Sequence, residues 1–142
     1  MNTTPLTGML IADGRNGTVP IDPTDHGASI RHYLDCRLLD IVALGDGLDM
    51  FVDDEGLLVD RPVLNLAATI VAHQRGARSA IFGKALVLGI DDDTGETLTL
   101  TPEQARSVQQ LMMHCPSERV RESLLETLAP FPGLAERLRQ ML

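Results

Sequence analysis

The residues with most apparent chemistry lie in GIDDDTGETLTLTPEQ, from Gly89 to Gln104. Asp91, Asp92 and Asp93 are consecutive and precede Gly95 and Glu96. Clustered carboxylates followed by glycine are the raw material of a calcium loop. The EF-hand pattern needs ligands at positions 1, 3 and 5, glycine at 6 and glutamate at 12. Placing Gly95 at the glycine position puts Ile90 first, and Ile90 cannot ligate; starting at Asp91 puts Glu96 where glycine belongs. The flanks also read as strands rather than helices. The stretch therefore predicts an Asp-rich turn closed at Gly95, with carboxylates bonding local backbone. Asp91 and Asp93 keep a weak claim on a cation, and no metal site is expected.

Other chemistries have less support. His32 and Cys36 are four apart on a predicted helix, and His114 and Cys115 are adjacent. Together they offer four zinc-type ligands, but there is no Cys-x-x-Cys knuckle, and successive helical side chains diverge by about 100°. Cys36 or Cys115 with a histidine is the one nucleophile arrangement available, without a hydrolase signature. No glycine-rich turn has phosphate- or dinucleotide-binding spacing, and no cofactor is expected. Asp13 with Asp22, or Asp49 with Asp53, can form a carboxylate pair, yet surface hairpin aspartates are far commoner than catalytic pairs. No catalytic residue is assigned, and the balance leans away from an enzyme.

Residues 35–60 carry eight acids against one base, Arg37. Strand alternation puts Asp49, Phe51 and Asp53 on one face and Leu48, Met50 and Val52 on the other. The apolar set is the expected core face, so the charges should project outward. Asp46, Asp49, Asp53, Asp54 and Glu55 then form an acidic patch. Such a patch can be a solvated edge that discourages aggregation. It can also dock onto a basic protein surface, such as one that normally holds DNA.

The 142 residues suit one compact core, and 44% are hydrophobic. The aromatics are Tyr33, Phe51, Phe82 and Phe131, so stacking platforms for single-stranded nucleic acid are not expected. The net charge is −8. It disfavours direct binding to nucleic acid or anionic lipid. Residues 1–100 hold 15 acids and 7 bases, whereas residues 101–142 hold 5 of each. No signal peptide or membrane span is visible, so a cytoplasmic location is expected.

The elements that must position these residues follow from local signals. Asn16-Gly17 predicts a type I′ hairpin between Met9–Ala12 and Val19–Ile21. Thr24 or Asp25 caps a helix over Ala28–Arg37, with Ile30, Leu34 and Leu38 on one face. Asp40–Leu44 and Leu48–Val52 form a second hairpin about GDG. Pro62 suits the first turn of an apolar helix over Val63–Gln74. A strand follows, whole or broken at Gly83, and ETLTLT forms another. Thr101, Pro102 and Gln104 open a capped helix to about His114, and Ser117 opens the next, to about Ala129. A last helix covers Leu134–Leu142. The expected class is α+β, with hairpins and helices forming one mixed or antiparallel sheet core. A core domain spans 1–105, and a helical extension, 106–142, packs on it or dimerises. Leu124, Leu128, Leu134, Leu138 and Leu142 supply the apolar stripe for either purpose.

Three segments carry a resemblance: DIVALGDGLDMFVDDEGLL, LNLAATIVA with Asn65-Leu-Ala-Ala68, and IFGKALVLGIDDDTGETLTLTPEQ. Over residues 8–105 the chain resembles a family of small proteins encoded mostly by phages, plasmids and other mobile elements, classed as a domain of unknown function. The resemblance implies a mobile-element accessory protein and carries no activity with it. With the surplus of negative charge, it predicts a non-enzymatic acidic protein that contacts a basic partner, as an inhibitor or DNA mimic would. The alternative is a small-ligand or metal-dependent protein using the Asp-rich turns.

Overall fold

The computed structural model describes residues 4–12, 15–113 and 115–141. Asp13, His114 and Leu142, each named above, lie outside these. Strands β1 (Leu6–Ile11), β2 (Gly17–Ile21), β3 (Leu39–Gly45), β4 (Leu48–Asp53), β5 (Ala85–Ile90) and β6 (Thr97–Leu98) form one sheet of order β2-β1-β5-β4-β3, with β6 paired to β5 beyond the end of the β1 pairing. Every pairing is antiparallel. The fold is α+β.

β1 (Leu6–Ile11) and β2 (Gly17–Ile21) form the first hairpin. Its turn is not the two-residue Asn-Gly type. Gly17 begins β2 without a left-handed φ, and Asn16 instead accepts the Ala12 amide through Oδ1 at 3.1 Å, closing a longer loop. α1 (His26–Leu34) is capped by Asp25, whose carboxylate accepts from Ala28 N. It stops earlier than expected because Asp35 turns left-handed at φ 50°, which leaves Leu38 exposed beyond the helix.

β3 (Leu39–Gly45) and β4 (Leu48–Asp53) flank a turn with three successive left-handed residues: Gly45, Asp46 and Gly47, at φ 75°, 53° and 75°. Two glycines and an aspartate are the residues that tolerate this region. β3 is an edge strand, and Asp40 Oδ1 accepts the Ile41 amide there at 2.8 Å, occupying an edge donor.

α2 (Leu66–Gln74) begins after Pro62, not at it. Leu64 first makes an antiparallel bridge with Phe82, and Asn65 then caps the helix through Ala68 N. β5 (Ala85–Ile90) follows Gly83 at φ 88°, so the long strand pattern is two pieces. After β6 (Thr97–Leu98), α3 (Pro102–Met113) opens on the expected capping box: Gln104 N donates to Thr101 Oγ1 at 3.1 Å and Thr101 N to Gln104 Oε1 at 3.0 Å. α4 (Glu118–Thr127), capped by Ser117, and α5 (Pro132–Met141) complete the chain. No helix among the described residues is long and apolar enough to cross a membrane.

Both sheet faces are buried. Met9, Met50, Val52 and Val87 pack under α2 and α3, where Val71 and Val108 meet them. Phe51, Leu86 and Leu88 pack on the other face against Ile30 and Leu34 of α1. Each such side chain contributes about 1.5–3 kcal/mol on leaving water. Leu124, Leu128 and Leu138 meet Ile70 in a third cluster. Most of the carboxy-terminal stripe is thus consumed within the chain. The 105/106 position falls inside α3, whose Val108 belongs to the sheet core.

Candidate functional site

The five residues of the expected acidic patch do not form one surface. Asp46 and Asp49 sit at one end of β4, and Asp53, Asp54 and Glu55 at the other. The four residue steps from Asp49 to Asp53 span about 13 Å at 3.3–3.4 Å per residue. Asp49 corrects the outward expectation: it is only 6% exposed, because Phe51, its neighbour on the same face, is roofed by α1. A central strand buries both faces, so alternation alone misassigns it.

Most of the remaining acids already have work. Asp46 Oδ2 accepts from Arg75 Nη2 at 2.6 Å, and Arg75 Nε also donates to the Leu44 carbonyl. Glu55 holds Arg37 through two bonds, at 3.1 and 2.7 Å, which keeps its carboxyl below the ordinary range. Asp53 Oδ1 accepts the Glu55 amide at 2.8 Å. Asp35 pairs with Lys84, which lowers its carboxyl in the same way. Asp54 is exposed and carries no side-chain bond among the described residues.

The structure instead joins two turns that the sequence separates. The β3–β4 turn lies against the end of β5: Leu48 pairs with Gly89, and Ile90 N donates to Gly47 O at 2.9 Å. This brings the turn that holds Asp46 to the end of β5, which the acidic turn of residues 91–96 follows, and Asp92 is the carboxylate that acts on Asp49. Residues 45–49 and 90–96 contain no base. Burial pushes the Asp49 carboxyl up, and the Asp92 charge pushes it further. No hydrogen bond to the Asp49 carboxylate occurs among the described residues.

The β5–β6 turn has the architecture expected of it. Asp91 Oδ1 accepts from Asp93 N at 2.9 Å and Thr94 N at 3.3 Å, and Gly95 has φ 76°. The Asp91 carboxylate is therefore committed to backbone. No group of three His, Cys, Asp or Glu side chains that could hold a metal occurs among the described residues. His32 lies on α1 but Cys36 lies beyond its end, so the two do not share a helix, and Cys115 is exposed between α3 and α4. Burial, then the Asp53 charge, raises the Cys36 thiol, which makes it a poorer nucleophile. Asp22, offered above as a partner for Asp13, bonds Thr24 through both backbone and hydroxyl, and these bonds lower its carboxyl.

Two features escaped sequence reasoning. His73, 6% exposed, lies on α2 with Nε2 3.2 Å from Ser79 O and Nδ1 2.9 Å from Ser123 Oγ. Because a carbonyl only accepts, Nε2 carries the hydrogen and Nδ1 accepts from the serine hydroxyl. Arg78 Nε also donates to Ser123 Oγ, at 3.3 Å. A serine bonded to an oriented histidine has the outline of an activated nucleophile. Here it ties α2, the following loop and α4 together inside the protein. The available signal was a lone histidine in an apolar helix, which must find partners once buried.

The second missed feature is apolar and exposed. Leu57, Leu58, Val59 and Val63 are 49%, 77%, 52% and 64% exposed in the segment between β4 and α2. Beside them, between this segment and α5, run two adjoining grooves of about 390 Å³ each. The stretch GLLVDRPV was the sequence signal, four large aliphatics in a segment with proline and without strand alternation.

The family described as Domain of unknown function (DUF3846) matches residues 7–113, and the chain belongs to it. The match runs from β1 to the end of α3, further than the resemblance over 8–105, and leaves α4 and α5 outside. No curated protein and no solved structure matches the chain.

Proposed function

We propose that this DUF3846 chain is a non-enzymatic accessory protein that acts by protein–protein contact through an acidic surface. The contact surface is the sheet end where the two turns meet, and the partner surface is basic. One observation carries this: Leu48 pairs with Gly89 and Ile90 N donates to Gly47 O at 2.9 Å, so acidic turns about 40 positions apart share one end of the sheet. Arg75 pairs with Asp46 alone among the described residues, so the other like charges held at this end cost stability, and a basic partner relieves that cost. The resemblance read from the sequence, to a family carried mostly by phages and plasmids, implies a mobile-element setting. A basic partner whose surface normally holds DNA fits the same charge pattern.

Affinity capture from a bacterial lysate tests the proposal with three baits: wild type, Asp92→Lys/Asp93→Lys, and Glu118→Lys/Glu122→Lys as a charge-matched control on α4. The expected result is a partner held at low salt, lost from the turn variant, and kept by the control. Raising the salt should also release it, since exposed charges are screened beyond about 8 Å at physiological ionic strength. Equal retention by all three baits, or equal loss from both variants, overturns the proposal. Thermal shift with calcium and magnesium addresses the cation alternative on the same surface. A cation at one hundred times its Kd stabilises by about 2.7 kcal/mol, and such a shift abolished by Asp92→Lys favours that alternative.

A further inference from the structure

Leu57 and Pro62 both line one groove, and Pro62 and Val63 line its neighbour. The far wall of each includes Leu134 of α5, and Met141 closes the second, beside Val63. Arg137 is the one charged residue lining either groove, and it lines both. It makes no ion pair among the described residues. The groove system therefore accepts an apolar segment that brings a carboxylate to Arg137.

The chain presents such a segment beside the groove. Residues 58–61, between the lining residues Leu57 and Pro62, read Leu-Val-Asp-Arg. Leu58 is 77% exposed, and Asp60 is exposed without an ion pair among the described residues. An apolar projection with a free acid adjoins an apolar groove with a free arginine on one surface. A surface that carries both halves of a contact is self-complementary, and a two-fold axis satisfies both halves at once. The large exposed aliphatics, unusual on a monomer, are then covered.

We infer that the occupant of the groove is a second copy of this chain. Leu58 and Val59 of each protomer lie in the partner protomer's groove, and Asp60 meets Arg137 across the axis. The dimer leaves the acidic turns free. The groove lies by Phe82, before β5 begins, and the turns lie by Ile90, where β5 ends. Two acidic surfaces on one dimer would engage a repeated basic partner with increased avidity.

Size-exclusion chromatography with light scattering on the full chain tests this. The expected mass is twice the 15.4 kDa of one chain. Leu58→Asp should give the single-chain mass while keeping the wild-type circular dichroism, because the side chain is exposed. Arg137→Glu sets like charges together and should weaken the dimer about tenfold. Adding Asp60→Arg to Arg137→Glu should restore it. A wild-type chain of single mass at about 100 µM, where even a weak dimer assembles, overturns the inference. So does a Leu58→Asp variant that stays dimeric. The assay is separate from the partner capture above, since Asp92→Lys/Asp93→Lys should leave the dimer intact.

Discussion

Asn65→Ala probes the joint made at the start of Asn65-Leu-Ala-Ala68. Asn65 Oδ1 accepts the Ala68 amide at 3.0 Å, capping α2. Its Nδ2 donates to Ile11 O at 2.9 Å and to Gly83 O at 3.0 Å. One side chain thus fixes the start of α2 to the end of β1 and to the approach to β5. Removing the cap costs about 1 kcal/mol. Removing the two donors costs about 0.5–1.5 kcal/mol each, with more if the carbonyls stay dry. The sum is about 2–4 kcal/mol, a large part of a typical domain's stability. Urea unfolding followed by circular dichroism measures it, with an unchanged m-value confirming that the folded state is the same. Asn65→Ser separates the parts: it keeps a capping oxygen but reaches neither carbonyl, and should recover only about 1 kcal/mol. Asn65→Asp keeps the cap oxygen but turns a carboxylate toward two carbonyls, and should be no better than alanine. A loss below about 1 kcal/mol for Asn65→Ala, or full recovery by serine, would refute this account of the joint.

Two pH experiments follow from the buried titratable groups. Burial lowers the His73 pKa below the 6.5 of the free side chain. The unfolded chain then binds the proton first, so the stability is present above that value and lost as pH falls through it. Thermal melts between pH 7.5 and 5 should show a decline for wild type that His73→Gln reduces; an equal slope in both would count against the buried neutral imidazole. Asp49 has the opposite sign. Its folded pKa is raised above 3.8, so its contribution is most favourable at low pH and declines as pH rises through the folded value. Asp49→Asn should therefore stabilise the protein at pH 7 relative to wild type, with the gain shrinking toward pH 4. A gain that does not change with pH would refute the raised carboxyl, to which burial contributes most and the Asp92 charge second.

Much of the fold was legible because its signals are local. Thr101 and Gln104 bond each other across three residues, and Gly-Asp-Gly fits a turn whose left-handed angles those residues tolerate. Apart from the early stop of α1 at the left-handed Asp35, the misses are non-local. Pro62 has the right chemistry to begin a helix, but the bridge from Leu64 to Phe82 keeps the chain extended until Asn65. Asn16-Gly17 has the right chemistry for a tight hairpin, but the β1–β2 register opposes Leu10 to Gly17 and leaves a longer loop. Asp49 was assigned to solvent because alternation cannot report that a helix 15 or more residues upstream roofs the second face.

The same distinction decides how the net charge should be used. Eight acids in 26 residues suggested one acidic hairpin, yet sequence density measures proximity along the chain only. In the fold, Asp35, Asp46 and Glu55 are answered by Lys84, Arg75 and Arg37. Asp40 and Asp53 bond backbone amides. What these pairings leave is spatial. Antiparallel pairing of β4 with β5 stacks the turn before one on the turn after the other, so aspartates from two distant segments share one end of the sheet. An acid's value for docking depends on whether the chain has already neutralised it. By that criterion Asp92 and Asp93 outrank Asp46 and Glu55, although the hairpin has the denser acidic sequence.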